Sequence, residues 1–172
     1  FWLYLLLPRE RHWLRYAVPI LLIGLGLALT GVYRFLAAGK VPDALFLDVN
    51  IRAALLNLIA LPVCGYFLVS LSSPRMGNRF AMLLGSSFFV LTYSTLLTQS
   101  RGGALAFLVC AGILLVMALR HVPRRIVAVP AALIVMAYLL ADLSWTGGLT
   151  ERAGTLSDIR EAGAGRFVIW SQ

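Results

Sequence analysis

Ser100-Arg101-Gly102-Gly103 is the stretch of this chain whose residue types could do chemistry. Arginine carries a planar fork of donors that matches phosphate oxygens two at a time. Glycine lets a ligand come close to the backbone. Serine can cap a helix start or donate a hydroxyl hydrogen bond. If a helix starts near Gly102 or Gly103, its first N–H groups lack intrahelical partners, and the helix dipole adds partial positive charge. Together these features make an anion site. The competing reading is an arginine that snorkels at the membrane–water boundary beside a tight Gly-Gly turn. The four residues alone do not separate the two.

Further arginines could join such a site. Arg52, Arg152, Arg160 and Arg166 fall on the same side of the topology derived below, and Arg34 can snorkel to it. In "TLSDIREAGAGRFVIWSQ", Leu156, Ile159 and Gly163 share one side of a possible helix, and Thr155 with Asp158 resembles a capping box. Phe167 and Trp170 suit boundary anchors, so the segment reads either as an interfacial amphipathic piece or as a loop lying on headgroups. Asn50, Arg52 and Asn57 form a polar cluster at the start of a span, where capping and packing explain them as well as ligand contact does. Ser87, Ser94 and Thr98 recur at near-helical spacing and read first as a helix-packing face. His12 and His121 have no Cys, Asp or Glu at ligand spacing, so neither a metal nor a cofactor is expected. Cys64 and Cys110 lie inside apolar spans and read as small hydrophobes. Asp142 marks an interface, and no P-loop, dinucleotide fingerprint or nucleophile elbow occurs.

The elements that must position these residues are membrane spans. Hydrophobic residues make up 60% of the chain and charged ones 13%, about half the charge of a soluble domain. Mean hydropathy is +0.88. Complete spans are expected at about 16–36, with Pro19 in the first turn, 51–71, with a kink at Pro62, and 80–98. Shorter spans are expected at about 103–119 and 126–142. Residues 1–7 read as the tail of one more. The expected fold is therefore an all-α, polytopic transmembrane bundle of about five complete spans plus part of one. The start of a periplasmic loop follows at 144–172, and both ends look cut from a longer protein.

Basic loops alternate with the others. Placing residues 8–15, 72–79 and 120–125 in the cytoplasm puts eight of the fifteen Lys and Arg there, with Glu10 alone of the seven acids. The loop at 37–50, the Ser-Arg-Gly-Gly corner and the residues from 144 then face outward, into the periplasm if the cell is a bacterium. The net charge of +8 belongs to these loops and does not point to nucleic acid.

"LLTQSRGGALAFLVCAGILLV", one further span and "GAGRFVIW" together resemble the O-antigen ligase/polymerase family (Wzy-C type) of bacterial inner membranes. The likeness rests on Thr98, Ser100, Arg101 and Gly102 at the corner, then Gly165, Arg166 and Trp170 where the family opens its large periplasmic loop. It covers about residues 80–172, with 1–79 fitting as upstream spans and "DVNIRAALLNL" resembling the family's outward, Asn-containing helix start. The resemblance implies a glycan transferase. A glycan leaves a polyprenyl-pyrophosphate carrier for lipid A–core, a growing polysaccharide or a protein hydroxyl. It implies catalytic roles for Arg101 and Arg166, and pyrophosphate binding by Ser100, Arg101, Gly102, Gly103, Arg52, Arg160 and Arg166, without metal or cofactor. The family's catalytic histidine comes from the periplasmic loop, and neither His12 nor His121 matches it, so residues 1–172 alone are expected to be inactive. A transporter or flippase for an anionic solute or lipid, and a non-catalytic scaffold of a polysaccharide assembly complex, are the other readings. Against transport, no charge is expected at mid-span.

Overall fold

The computed structural model describes residues 12–38, 49–72, 77–98 and 100–144, without the side chains of residues 12–17, 38 and 101. Among them are five helices and no strand: α1 His12–Ala38, α2 Val49–Ser72, α3 Asn78–Leu97, α4 Arg101–Ala118 and α5 Arg124–Ser144. α1, α2, α3 and α5 contain segments of 20–24 residues that are long and apolar enough to cross a membrane. The apolar part of α4, Gly102–Ala118, sits at the lower limit of a span. The chain is a multi-pass helical membrane protein. The expected part-span at 1–7 and the segment at 155–170 lie outside the described residues.

Apolar side chains fill the core, with Leu56, Phe88, Leu91 and Phe107 fully buried, but they also cover the outside of the bundle. Ile23, Leu36, Leu58, Met82, Leu105 and Leu143 are exposed, while Ser87, Thr92, Ser94, Thr95 and Thr98 are buried. Lipid tails are as apolar as leucine, so helices gain little by hiding leucines from them. Small and hydroxyl side chains at the interfaces let backbones approach and close hydrogen bonds. Ser87, Ser94 and Thr98 accordingly lie inside the bundle, as a packing face would. Ser87 and Thr95 bond back to the carbonyls of Leu83 and Leu91, at 2.8 and 3.0 Å. α3 is the central helix: its span is 61% buried, against 22–44% for the other three, and it packs against all four neighbours.

Two helix boundaries differ from the hydropathy reading. α1 starts at His12, which makes Pro19 an interior residue instead of a first-turn one. Membrane helices tolerate this because neighbours and local adjustments satisfy the freed backbone. α5 runs over 21 residues and is not short. The carbonyl of Pro123 accepts from the N–H groups of Ile126 and Val127, at 2.9 and 3.3 Å, so Arg124 and Arg125 form the first turn. The hydropathy profile ends at a charge, but the backbone ladder continues to the end of its hydrogen bonds.

Contacts fix the directions of the helices. Gly24 meets Ile59, and Gly31 meets Arg52, so α1 and α2 are antiparallel. Phe67 packs on Gly85 while Asn50 bonds Ser100, so α2 and α3 are antiparallel too. The ends of α1, α3 and α5 therefore gather with the starts of α2 and α4. Tyr93 and Ser144 tie α3 to α5 at that end through a 3.0 Å hydroxyl–hydroxyl bond.

Candidate functional site

The corner between α3 and α4 lies at this shared end. α3 stops at Leu97 and α4 starts at Arg101, a residue or two earlier than the glycines suggested. Thr98 closes α3: its N–H and hydroxyl both donate to the Thr95 carbonyl, at 3.2 and 2.6 Å. Ser100 has extended backbone and caps α4, its Oγ accepting from the Gly103 N–H at 3.0 Å. The same hydroxyl donates to Asn50 Oδ1 of α2 at 2.7 Å. Serine thus both caps and donates, and each use holds the corner in place.

The two glycines do different work. A Cβ on Gly103 would lie 2.5 Å from the Cβ of Ala53, so this glycine lets α4 press against α2. Its carbonyl accepts from Asn57 Nδ2 at 2.8 Å, and its N–H is taken by Ser100. Gly103 therefore cannot offer its N–H to a ligand while the cap holds, which corrects the expectation that both glycine N–H groups are open. Gly102 is exposed, and nothing lies within 4 Å of where its Cβ would be. Ala104 N–H bonds the Ser100 carbonyl at 2.8 Å and begins the helical ladder. By helix geometry that leaves the N–H groups of Arg101 and Gly102 without intrahelical acceptors.

Arg52, expected among the phosphate ligands, is 1% exposed. Its Nη2 donates to the carbonyl of Leu27 in α1 at 2.6 Å, across a gap left by Gly31, whose Cβ would overlap the guanidinium. Leu27 lies near the middle of the Val18–Ala37 segment, so a charge does reach mid-span, carried by a long side chain from a helix start. A charge in such a place normally finds a partner inside the bundle. Arg52 is an internal tie between α1 and α2, and this corrects its placement on the outer face.

The polar cluster at the start of α2 is thus a set of interhelical bonds: Asn50 to Ser100, Arg52 to Leu27 and Asn57 to Gly103. Hydropathy registered these residues only as interruptions. An asparagine or arginine within the first turns of an apolar helix is the available signal, and its partner is invisible without the fold. Arg101 opens α4, but its side chain is outside the described residues, as are Arg152, Arg160 and Arg166. Among the described residues no group of His, Cys, Asp or Glu forms a metal site.

What the corner can do chemically is bind an oxyanion. Two N–H groups without intrahelical acceptors stand at a capped helix start, beside an exposed glycine and with an arginine as first helical residue. No protein-family model matches the chain, and no curated protein or solved structure is significantly similar to it.

Proposed function

We propose that this chain carries the donor-binding part of a membrane glycan transferase, which moves an oligo- or polysaccharide from a polyprenyl-pyrophosphate carrier to an acceptor hydroxyl. The acceptor would be lipid A–core, a growing polysaccharide or a protein. The observation that carries the reading is the α4 start. It is capped by Ser100, bonded to Asn50 of α2, and leaves Gly102 exposed, at the end of apolar helices where a lipid carrier's pyrophosphate would lie.

In this reading the acceptor oxygen attacks the anomeric carbon, the bond to the carrier phosphate breaks, and negative charge grows on the departing pyrophosphate. Arg101 and the N–H groups of Arg101 and Gly102 stabilise that charge; Arg160 and Arg166, named with them from the sequence, lie outside the described residues. Preorganised donors of this kind commonly provide the largest single catalytic term. Arg52 contributes by holding α1 and α2 together, and Gly103 by seating α4. The site faces the periplasm of a bacterial inner membrane, and the acceptor's proton goes to a base elsewhere in the protein. The transport reading draws on Arg52, the one buried arginine among those whose side chains are described. At 1% exposure it lines no aqueous path.

The test is complementation of a disrupted gene in its host with wild type, Arg101→Ala and Arg101→Lys, with membrane abundance checked by immunoblot. Surface polysaccharide and glycoprotein are read with glycan-specific probes. Arg101→Ala is expected to lose about a hundredfold or more in transfer, the cost of one oxyanion donor. Arg101→Lys keeps the charge but not the fork and is expected to fall between. Full transfer by Arg101→Ala at wild-type abundance would overturn the reading.

A further inference from the structure

At the end of the bundle away from the capped corner, α2 and α4 leave an open groove of about 500 Å³ between them. Gly65 and Leu68 of α2 and Leu114, Met117 and Ala118 of α4 line it, and His121 stands at its polar end. Gly65 helps keep it open, since nothing lies within 4 Å of where its Cβ would be. Ser72, also on the wall, turns its hydroxyl back onto the Leu68 carbonyl at 2.7 Å.

The turn that follows α4 is tied down. Arg120 N–H bonds the Met117 carbonyl at 3.2 Å, and the N–H groups of His121 and Val122 bond that of Ala118 at 2.9 and 2.8 Å. The turn therefore keeps Arg120 next to the groove's polar end, and Arg124 and Arg125 open α5 directly after it. All three arginines are exposed. Among the described residues the only carboxylate is Asp142, near the far end of α5. Arg120 thus directly precedes His121 of the groove wall, Arg124 and Arg125 follow within four residues, and no described carboxylate lies at that end.

We infer that the groove and this arginine rim bind an anionic phospholipid, one acyl chain lying along Leu68 and Leu114 and the phosphate held by Arg120, Arg124 and Arg125. Charge complementarity selects the occupant. A zwitterionic headgroup brings its own cation to the rim, whereas an anionic one brings only acceptors. Arginine forks fit phosphate oxygens in pairs. Basic sites between membrane helices hold acidic headgroups by the same physics. The site is distinct from the α3–α4 corner and stands whatever that corner binds.

The experiment uses the full chain in phosphatidylcholine nanodiscs with trace spin-labelled phosphatidylglycerol or spin-labelled phosphatidylcholine. The motionally restricted fraction gives relative affinity. Wild type is expected to restrict phosphatidylglycerol in preference to phosphatidylcholine, and each Arg→Gln change at 120, 124 or 125 to lower its affinity about fivefold. Gly65→Leu fills the groove, keeps every charge, and is expected to reduce the restricted phosphatidylglycerol to the phosphatidylcholine level. Equal restriction of both lipids by wild type would overturn the inference. So would a full phosphatidylglycerol preference in Gly65→Leu, which would leave only a diffuse charged surface. Efficient disulfide dimerisation through Met117→Cys without restricted lipid would assign the groove to a second copy and overturn it as well.

Discussion

Replacing Gly103 by alanine should destabilise the protein, whereas replacing Gly102 should not. At Gly103 the new methyl would sit 2.5 Å from the Cβ of Ala53, 3.0 Å from Ser100 Oγ and 3.2 Å from Ser100 Cβ. Carbon pairs rest at about 3.5–4.0 Å, so α4 must move about 1 Å or more away from α2. Ala53 has no rotamer to yield, and the shift strains the Asn57 bond to the Gly103 carbonyl. Overpacking costs about 1–3 kcal/mol. A membrane interhelical bond adds about 0.6 kcal/mol, and alanine's better helix propensity returns up to about 1 kcal/mol. The net expectation is a loss of about 0.5–2.5 kcal/mol. At Gly102 the space is open, so only the propensity acts, and stability should hold or rise by up to about 1 kcal/mol. Cys64 is buried and Cys110 exposed, so a Cys110→Ser background turns maleimide labelling of Cys64 into an unfolding probe during an SDS titration in mixed micelles. Ala53→Gly removes the atom that the new methyl would strike, so the double variant should lose less than the sum of the two single changes. Equal midpoints for the two alanine variants would refute the division of labour between the glycines.

Other perturbations test the bonds around the site. Gly31→Ala displaces the flexible end of Arg52 from the Leu27 carbonyl and should cost about 0.5–1.5 kcal/mol in the same titration, the worth of one such bond, with Arg52→Met giving partial rescue. Ser100→Ala removes both the cap and the Asn50 tie, and should lower stability by about 1 kcal/mol or somewhat more. Fusions at Gly77 and Gly148 should show alkaline phosphatase silent at the first and active at the second. The opposite pattern would put the capped corner in the cytoplasm.

Much of the fold was legible because the bilayer enforces a simple rule. Runs of about 20 apolar residues must be helices, and charges punctuate them. The hydropathy maxima located all five described helices, and the ends missed were those where charge and backbone part company, as at Arg124. Ser100's capping role was legible too, since a serine ahead of a helix start has few better uses. Less could be read of what touches what. Arg52 looked like one more boundary arginine because sequence records where a side chain starts, not where a long flexible one ends. Gly102 and Gly103 looked equivalent because only the approach of α2 distinguishes them.

The central claim is that the capped start of α4 recognises pyrophosphate through Arg101. Its most direct test is equilibrium binding of polyprenyl pyrophosphate to the purified full-length protein in nanodiscs, with polyprenol as the uncharged control. The pyrophosphate should bind saturably and the alcohol should not, with Arg101→Ala weakening binding about tenfold or more, since one charge-assisted contact is worth about 1.5–3 kcal/mol. Arg101→Lys should weaken it partially, and Gly102→Ala should also bind less tightly while folding as well as wild type. Unchanged affinity in a folded Arg101→Ala protein, or equal binding of the alcohol, would contradict the claim.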